Sequence, residues 1–149
     1  MRRYQRYLQQ NRDWLLKDAP RKANLRIYEA VYHFNLYMYL QAFLRRRRGQ
    51  VFPEFPTGNG KIDLILRYVG QLYGLELKSF TDDYGYRQAL AQAARYSQQL
   101  GRSAIRLSEI SLVCFVETID DTTRQKYETV FVDRETECTV VPIFIETAG

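Results

Sequence analysis

Ile62-Asp63-Leu64-Ile65-Leu66-Arg67-Tyr68-Val69, then Gly70-Gln71, then Leu72-Tyr73-Gly74-Leu75-Glu76-Leu77-Lys78: two runs of β-forming residues lie on either side of two residues that can turn the chain. With glycine first in a two-residue loop, the spacing predicts a type II′ hairpin. Val69 then pairs with Leu72, Leu66 with Leu75, Ile65 with Glu76, and Asp63 with Lys78. Paired residues share a face of the sheet, so Asp63, Glu76 and Lys78 project together while Leu64, Leu75 and Leu77 fill the apolar side. The Asp63–Glu76 diagonal is roughly 7–8 Å between Cα atoms, close enough for both carboxylates to reach one cation. Charge inside apolar strands costs several kcal/mol per ion unless it is compensated. A simpler arrangement also suits these charges: a cross-strand ion pair of Asp63 with Lys78, with Glu76 at an exposed edge. Spacing alone does not separate the two.

Farther along, Gln88, Gln92 and Tyr96 recur at i, i+4 and i+8 and form one polar stripe on a helix whose Ala89, Ala93 and Ala94 permit close approach to a sheet. Asp63, then Glu76-Leu77-Lys78, then Gln92-Ala93-Ala94-Arg95-Tyr96 resembles the PD-(D/E)XK nuclease superfamily. Its Gln-x-x-x-Tyr element is similar to that of the RecB-like and Cas4-like branch. From about Thr57 to Glu146 the chain looks like the nuclease-like domain at the C-terminus of certain bacterial and archaeal AAA-type ATP-binding proteins. Gly60-Lys61-Ile62-Asp63 lacks the proline of the family name, as many members do.

The resemblance implies an α/β fold with a restriction-endonuclease-like core, a mixed central sheet flanked by helices in the order α-β-β-β-α-β, to which a C-terminal β-hairpin is added. It implies metal-dependent hydrolysis of phosphodiester bonds in DNA. Asp63, Glu76 and the Leu77 carbonyl would bind Mg²⁺ or Mn²⁺, and Lys78 would assist the attacking water. Glu29 matches the glutamate that the family carries on its first core helix, binding metal directly or through water; a neutral or solvent-facing helix glutamate is the plainer reading. Gln92 and Tyr96 would border the site and hold a carboxylate or a DNA phosphate; a solvated helix face is the plainer reading of that stripe. Arg87 and Arg95 could add phosphate contacts. DNA, an ATPase domain or subunit, and further copies of the chain are the partners implied. The alternative function is a non-cleaving nucleic-acid-binding or assembly module beside an ATPase, and three clustered charges favour the enzyme over it.

Composition bounds these expectations. A chain of 149 residues suits one domain and buries about 68–70% of its unfolded surface. We expect a basic helical appendage over 1–20 and the nuclease-like domain over 21–149. No apolar run approaches the roughly 18 residues of a membrane span and the N-terminus lacks a signal-peptide core, so a soluble, cytoplasmic protein without membrane contact is expected. Cys114 and Cys138 lie apart in apolar segments and read as free thiols. No Gly-x-x-x-x-Gly-Lys-Ser/Thr loop or Gly-x-Ser-x-Gly elbow is present, which argues against ATP hydrolysis by this chain and against serine-hydrolase chemistry. His33 is the single histidine, which rules out a histidine-rich metal site; one turn beyond Glu29, it suits a packed or hydrogen-bonded side chain better than a catalytic base.

Charge is unevenly spread. Residues 1–50 hold twelve Lys/Arg against Asp13, Asp18 and Glu29, a balance of +9, whereas 51–149 hold ten against fourteen, −4. Arg45-Arg46-Arg47-Arg48 closes a helix, where the macrodipole favours cations. It suits a solvated last turn and a phosphate contact alike.

The remaining elements follow from periodicity and punctuation. Helical spacing predicts a helix over Arg3 to Lys17, then one from Leu25 to about Arg47 capped by Asn24, with Glu29 inside it and apolar residues around most of its circumference. That helix should be buried or should meet another copy of the chain. Gln50 to Phe55 reads as a strand and Pro56 to Gly60 as a turn. A helix from Tyr86 to Leu100 stops at Gly101, and Ile110 to Val116 forms a central strand parallel to Leu75–Leu77. Lys126 to Val132 and Thr139 to Ile145 form the last hairpin.

Overall fold

Ile110 to Phe115 is a run of six buried residues with no polar alternation, the pattern of a strand covered on both faces. In the computed structural model, which describes residues 1–24 and 26–148, this run lies in the interior of a six-stranded mixed sheet. The elements are α1 (Arg2–Gln10), α2 (Arg12–Leu16), α3 (Glu29–Arg45), β1 (Gln50–Pro56), β2 (Lys61–Tyr68), β3 (Gln71–Ser79), α4 (Asp83–Arg102), β4 (Glu109–Val116), α5 (Asp121–Tyr127), β5 (Phe131–Val132) and β6 (Thr139–Glu146). The strand order is β1-β2-β3-β4-β6-β5. β3, β4 and β6 run parallel, and the flanking pairs are antiparallel.

Two apolar layers sandwich the sheet. On one side α1, α2 and α3 bring Leu8, Leu16 and Leu36 against Leu64, Leu77 and Val113. On the other, α4 lays Ala89, Ala93 and Ala94 on Ile65, Leu112 and Phe144, and the small side chains allow the close approach expected of them. Residues 2–16, expected as an appendage, thus give Tyr4, Leu8 and Leu16 to the core. They form two helices rather than one, because the chain leaves helical geometry at Asn11, whose amide donates to the Tyr7 carbonyl.

Four expectations are corrected by the strand and helix ends. The hairpin turns on Val69-Gly70, not Gly70-Gln71, and the pairs are Tyr68↔Gln71, Leu66↔Tyr73 and Leu64↔Leu75. Both turn residues have positive φ, 48° and 74°, the geometry of a type I′ turn, whose twist matches that of the strands. Asp63 therefore does not sit opposite Lys78. The long helix starts at Glu29; Leu25, its expected first residue, lies outside the described residues. Before it, Arg21 bridges Ile27 and the Lys22 N–H donates to the Arg26 carbonyl, so this backbone is committed to a bridge and Asn24 accepts from the Arg26 N–H instead of capping α3. Finally, Lys126 and Tyr127 belong to α5, capped by Asp120, whose carboxylate accepts from the Thr123 N–H; only Phe131–Val132 pairs with the start of β6. α4 also runs on through Gly101 to Arg102.

Among the described residues, no helix is long and apolar enough to cross a membrane. Cys114 and Cys138 are both free thiols; Cys114 is buried and Cys138 half-buried.

Candidate active site

The ladder between β2 and β3 ends one residue short of Asp63, and that break builds the site. Beyond Leu64↔Leu75 the Leu77 N–H donates not to a backbone carbonyl but to Asp63 Oδ2, at 2.8 Å. On the other flank, β1 and β2 pair at Pro53↔Leu64 and Phe55↔Ile62 and skip Glu54, which has a φ of 50°. The inside–outside alternation slips here: Ile62 and Ile65 pack in the α4 layer, while Leu64 packs in the other. A carboxylate replaces a peptide group as the acceptor, which holds it in the sheet among apolar neighbours.

Helix α3 supports this arrangement from below. His33 Nε2 donates to the Asp63 carbonyl at 3.1 Å, the hydrogen-bonded role expected of it. Glu29, at the first position of α3 rather than within it, accepts the Ser79 N–H at 2.7 Å. One helix thus holds β2 at Asp63 and β3 just beyond Lys78.

Glu76 is 8% exposed, and its Oε2 is buried with no hydrogen-bond partner among the described residues. Burial pushes its carboxyl up to about 8, the Asp63 and Glu29 charges push the same way, and Lys78 opposes them. Burial likewise raises the half-buried Asp63, against the Leu77 N–H, which favours its charged form. Lys78 pairs with no carboxylate among the described residues, so the cross-strand ion pair with Asp63 is not formed. Asp63, Glu29 and Lys78 are nonetheless near enough for their charges to act on Glu76.

The other predicted residues lie on α4 and at the C-terminal end of α3. Gln92 donates to the Tyr96 hydroxyl at 2.6 Å, and the Tyr96 ring lies against Gly60, where a Cβ would come within 2.6 Å of it. Thr57 donates to Gln99 of the same helix, fixing the loop that leads to Asp63. Gln88 is exposed and bonds Tyr84. Arg45, Arg46, Arg47 and Arg48 are exposed at the far end of α3, with Arg47 donating to the Phe43 carbonyl and lying over the Phe43 ring. Arg87 pairs with Asp83. Ser79 was missed in the sequence; its neighbour Lys78 marked the place, but nothing in a lone serine signals a backbone tie to a helix fifty residues earlier.

Among the described residues, no group of three His, Cys, Asp or Glu side chains converges as a preformed metal cage. The donor set still fits a hard cation. An orphaned buried carboxylate oxygen beside a second, half-buried carboxylate is the arrangement that a divalent ion relieves, and Mg²⁺ takes few protein ligands.

No protein-family model matches the sequence, and no curated protein is similar enough to match. Solved structures do. The small subunit, R.BspD6I2, of the heterodimeric restriction endonuclease R.BspD6I superposes with a TM-score of 0.53 and 12% identity, over 97% of this chain and 73% of that one. A type III CRISPR defence DNA nuclease activated by cyclic oligoadenylate (TM-score 0.42, 17% identity, 75% and 17% covered) and Pyrococcus furiosus SfsA in complex with Ca²⁺ (0.42, 11%, 83% and 62%) are also similar. The chain has a restriction-endonuclease-like fold, the fold of the PD-(D/E)XK proteins that its motif resembles.

Proposed function

We propose that the protein is a metal-dependent nuclease that hydrolyses phosphodiester bonds in DNA. The observation that carries this reading is the pair of carboxylates on adjacent strands, Glu76 buried with one oxygen left unpartnered and Asp63 half-buried, beside a lysine without an ion-pair partner among the described residues. Asp63 and Glu76, with the Leu77 carbonyl, would hold Mg²⁺ or Mn²⁺, and Glu29 would join them directly or through water. When bound, such a cation supplies Lewis-acid stabilisation of the phosphate and a water of lowered pKa. Lys78 donates to the attacking water and offsets charge growing on the phosphoryl oxygens. His33 and Ser79 are positioning residues: through Asp63 and Glu29 they keep the carboxylates in place. Gln92 and Tyr96 border the entry to the site, and Arg45 to Arg48 bind phosphates away from it.

The similar R.BspD6I2 is one subunit of a heterodimer, and this chain presents an aromatic face of α1–α3, with Trp14 80% and Phe34 65% exposed. Assembly with another copy through that face fits the proposal. A second reading is favoured by the lack of a preformed three-ligand cage among the described residues: a non-cleaving nucleic-acid-binding or assembly module, beside an ATPase. Incubation of the purified protein with single-stranded, double-stranded and branched DNA, with and without Mn²⁺, separates the two. Metal-dependent cutting supports the nuclease; tight binding without cutting supports the module.

A further inference from the structure

A cavity of about 460 Å³ lies over the carboxyl ends of the parallel strands and includes neither Asp63 nor Glu76. Ser79 ends β3, Val116 ends β4, and Thr147 follows β6; all three line it. Crevices at this end of parallel strands are where open α/β sheets take ligands. Arg12 of α2, together with Arg21 and Arg26 of the segment before α3, lines it too, and Glu117 is the one carboxylate among the lining residues. Neither Arg12 nor Arg26 forms an ion pair among the described residues. Ser79 belongs to both sites: its N–H holds Glu29, while its hydroxyl oxygen is buried with no partner among the described residues. One wall is rigid, since the Tyr32 and Phe115 rings stack at 4.4 Å and 6°.

Arg12 and Arg26, two guanidinium groups without ion pairs among the described residues, in a small cavity with serine and threonine in its lining match a compact dianion, because each planar fork can donate twice to phosphate oxygens. The size lies within the range of small-ligand pockets and is too small for a duplex. We propose that this cavity binds a phosphate monoester, supplied by the phosphorylated end of a nucleic-acid strand whose interior crosses Asp63 and Glu76. Its place beside the scissile bond rests on the nuclease reading; its ligand chemistry does not. The geometry makes the enzyme one that measures from a strand end, with Ser79 as the shared wall between the end and the cut.

The test is anisotropy of internally labelled oligonucleotides that carry 5′-phosphate, 3′-phosphate or hydroxyl ends, in EDTA so that nothing is cleaved. One phosphorylated end should bind about tenfold or more tightly than the hydroxyl end. The double variant Arg12→Gln/Arg26→Gln should lose that advantage, whereas Glu76→Gln should keep it. Both arginines are exposed, so the variant should fold, and an unchanged thermal melt checks this. A nucleoside monophosphate that displaces only at much higher concentration than the oligonucleotide assigns the pocket to strand ends; displacement at equal concentration assigns the monoester to free nucleotides. Equal affinity for all ends, or a preference that survives the double arginine variant, overturns the proposal. Because binding is read without metal, a protein that never cuts still tests the pocket, and one that cuts without end preference refutes the pocket alone.

Discussion

Glu76 is a carboxylate held where its charged form is poorly solvated, and that has a measurable consequence. Burial raises it from 4.5 to about 8 in the fold, so between these values the folded chain keeps a proton that the unfolded chain has released. Without divalent metal, stability should therefore be highest below about pH 4.5 on account of this group and should fall as pH rises towards 8. Asp63, raised by the same cause, adds to the slope. Thermal melts of Glu76→Gln in EDTA should show a flatter profile across that window, and an equal slope would mean that the side chain is solvated. Gly60 offers a second test at this scale. A methyl group there would meet the Tyr96 ring at 2.6 Å, so Gly60→Ala should displace the ring and cost about 1–3 kcal/mol in urea unfolding. The residue types were readable from the strands alone, because Asp63, Glu76 and Lys78 interrupt apolar runs. The replacement of a ladder carbonyl by the Asp63 carboxylate was not, since no local pattern marks where a ladder breaks.

The β2–β3 hairpin shows why an imperfect register still brought Asp63 beside β3. The pairing expected from the sequence is off by two residues, and a slip of two leaves Leu64, Leu75 and Leu77 together on one face, whereas a slip of one would have reversed one strand against the other. The turn itself was misread because Val69, a β-branched residue, occupies a left-handed position that valine seldom takes, at φ 48°. Val69→Asn creates the favoured type I′ dipeptide at a side chain that is 77% exposed, so it should stabilise the fold by about 1 kcal/mol in urea unfolding without affecting cleavage. The helix boundaries follow the same logic. Asp120 caps α5 in plain sight, but the β-forming residues after it suggested a strand. Asn24 has the right chemistry for a cap and spends it on Arg26, because a bridge between Arg21 and Ile27 claims that backbone first. Caps are local signals, and tertiary pairing decides which of them are used.

At the scale of the whole molecule, the basic first third and the acidic remainder meet in one fold instead of separating into appendage and domain, since α1 and α2 pack into the core. Part of the charge of that third lies at the end of α3, in Arg45 to Arg48, and part in Arg12, Arg21 and Arg26 at the cavity above the parallel strands. Replacing Arg45 to Arg48 with glutamine should weaken DNA binding and reduce the dependence of log K on log salt by about 0.7–0.9 for each phosphate that the run neutralises. An unchanged slope would show that the run is only solvated. The charge asymmetry was visible in the sequence; the convergence of Arg12, Arg21 and Arg26 with Ser79 was not, because it depends on three strand ends, α2 and the segment before α3 meeting. All these features serve one claim, that Asp63 and Glu76 form a metal-dependent phosphodiesterase centre. Its most direct test is cleavage of DNA with Mg²⁺ or Mn²⁺ by the parent chain, Asp63→Ala and Glu76→Ala, each shown to be folded by circular dichroism. We predict cutting by the parent with metal and at least a hundredfold loss in either variant, about 2.7 kcal/mol of transition-state stabilisation; undiminished cutting by a folded Asp63→Ala or Glu76→Ala protein would contradict it.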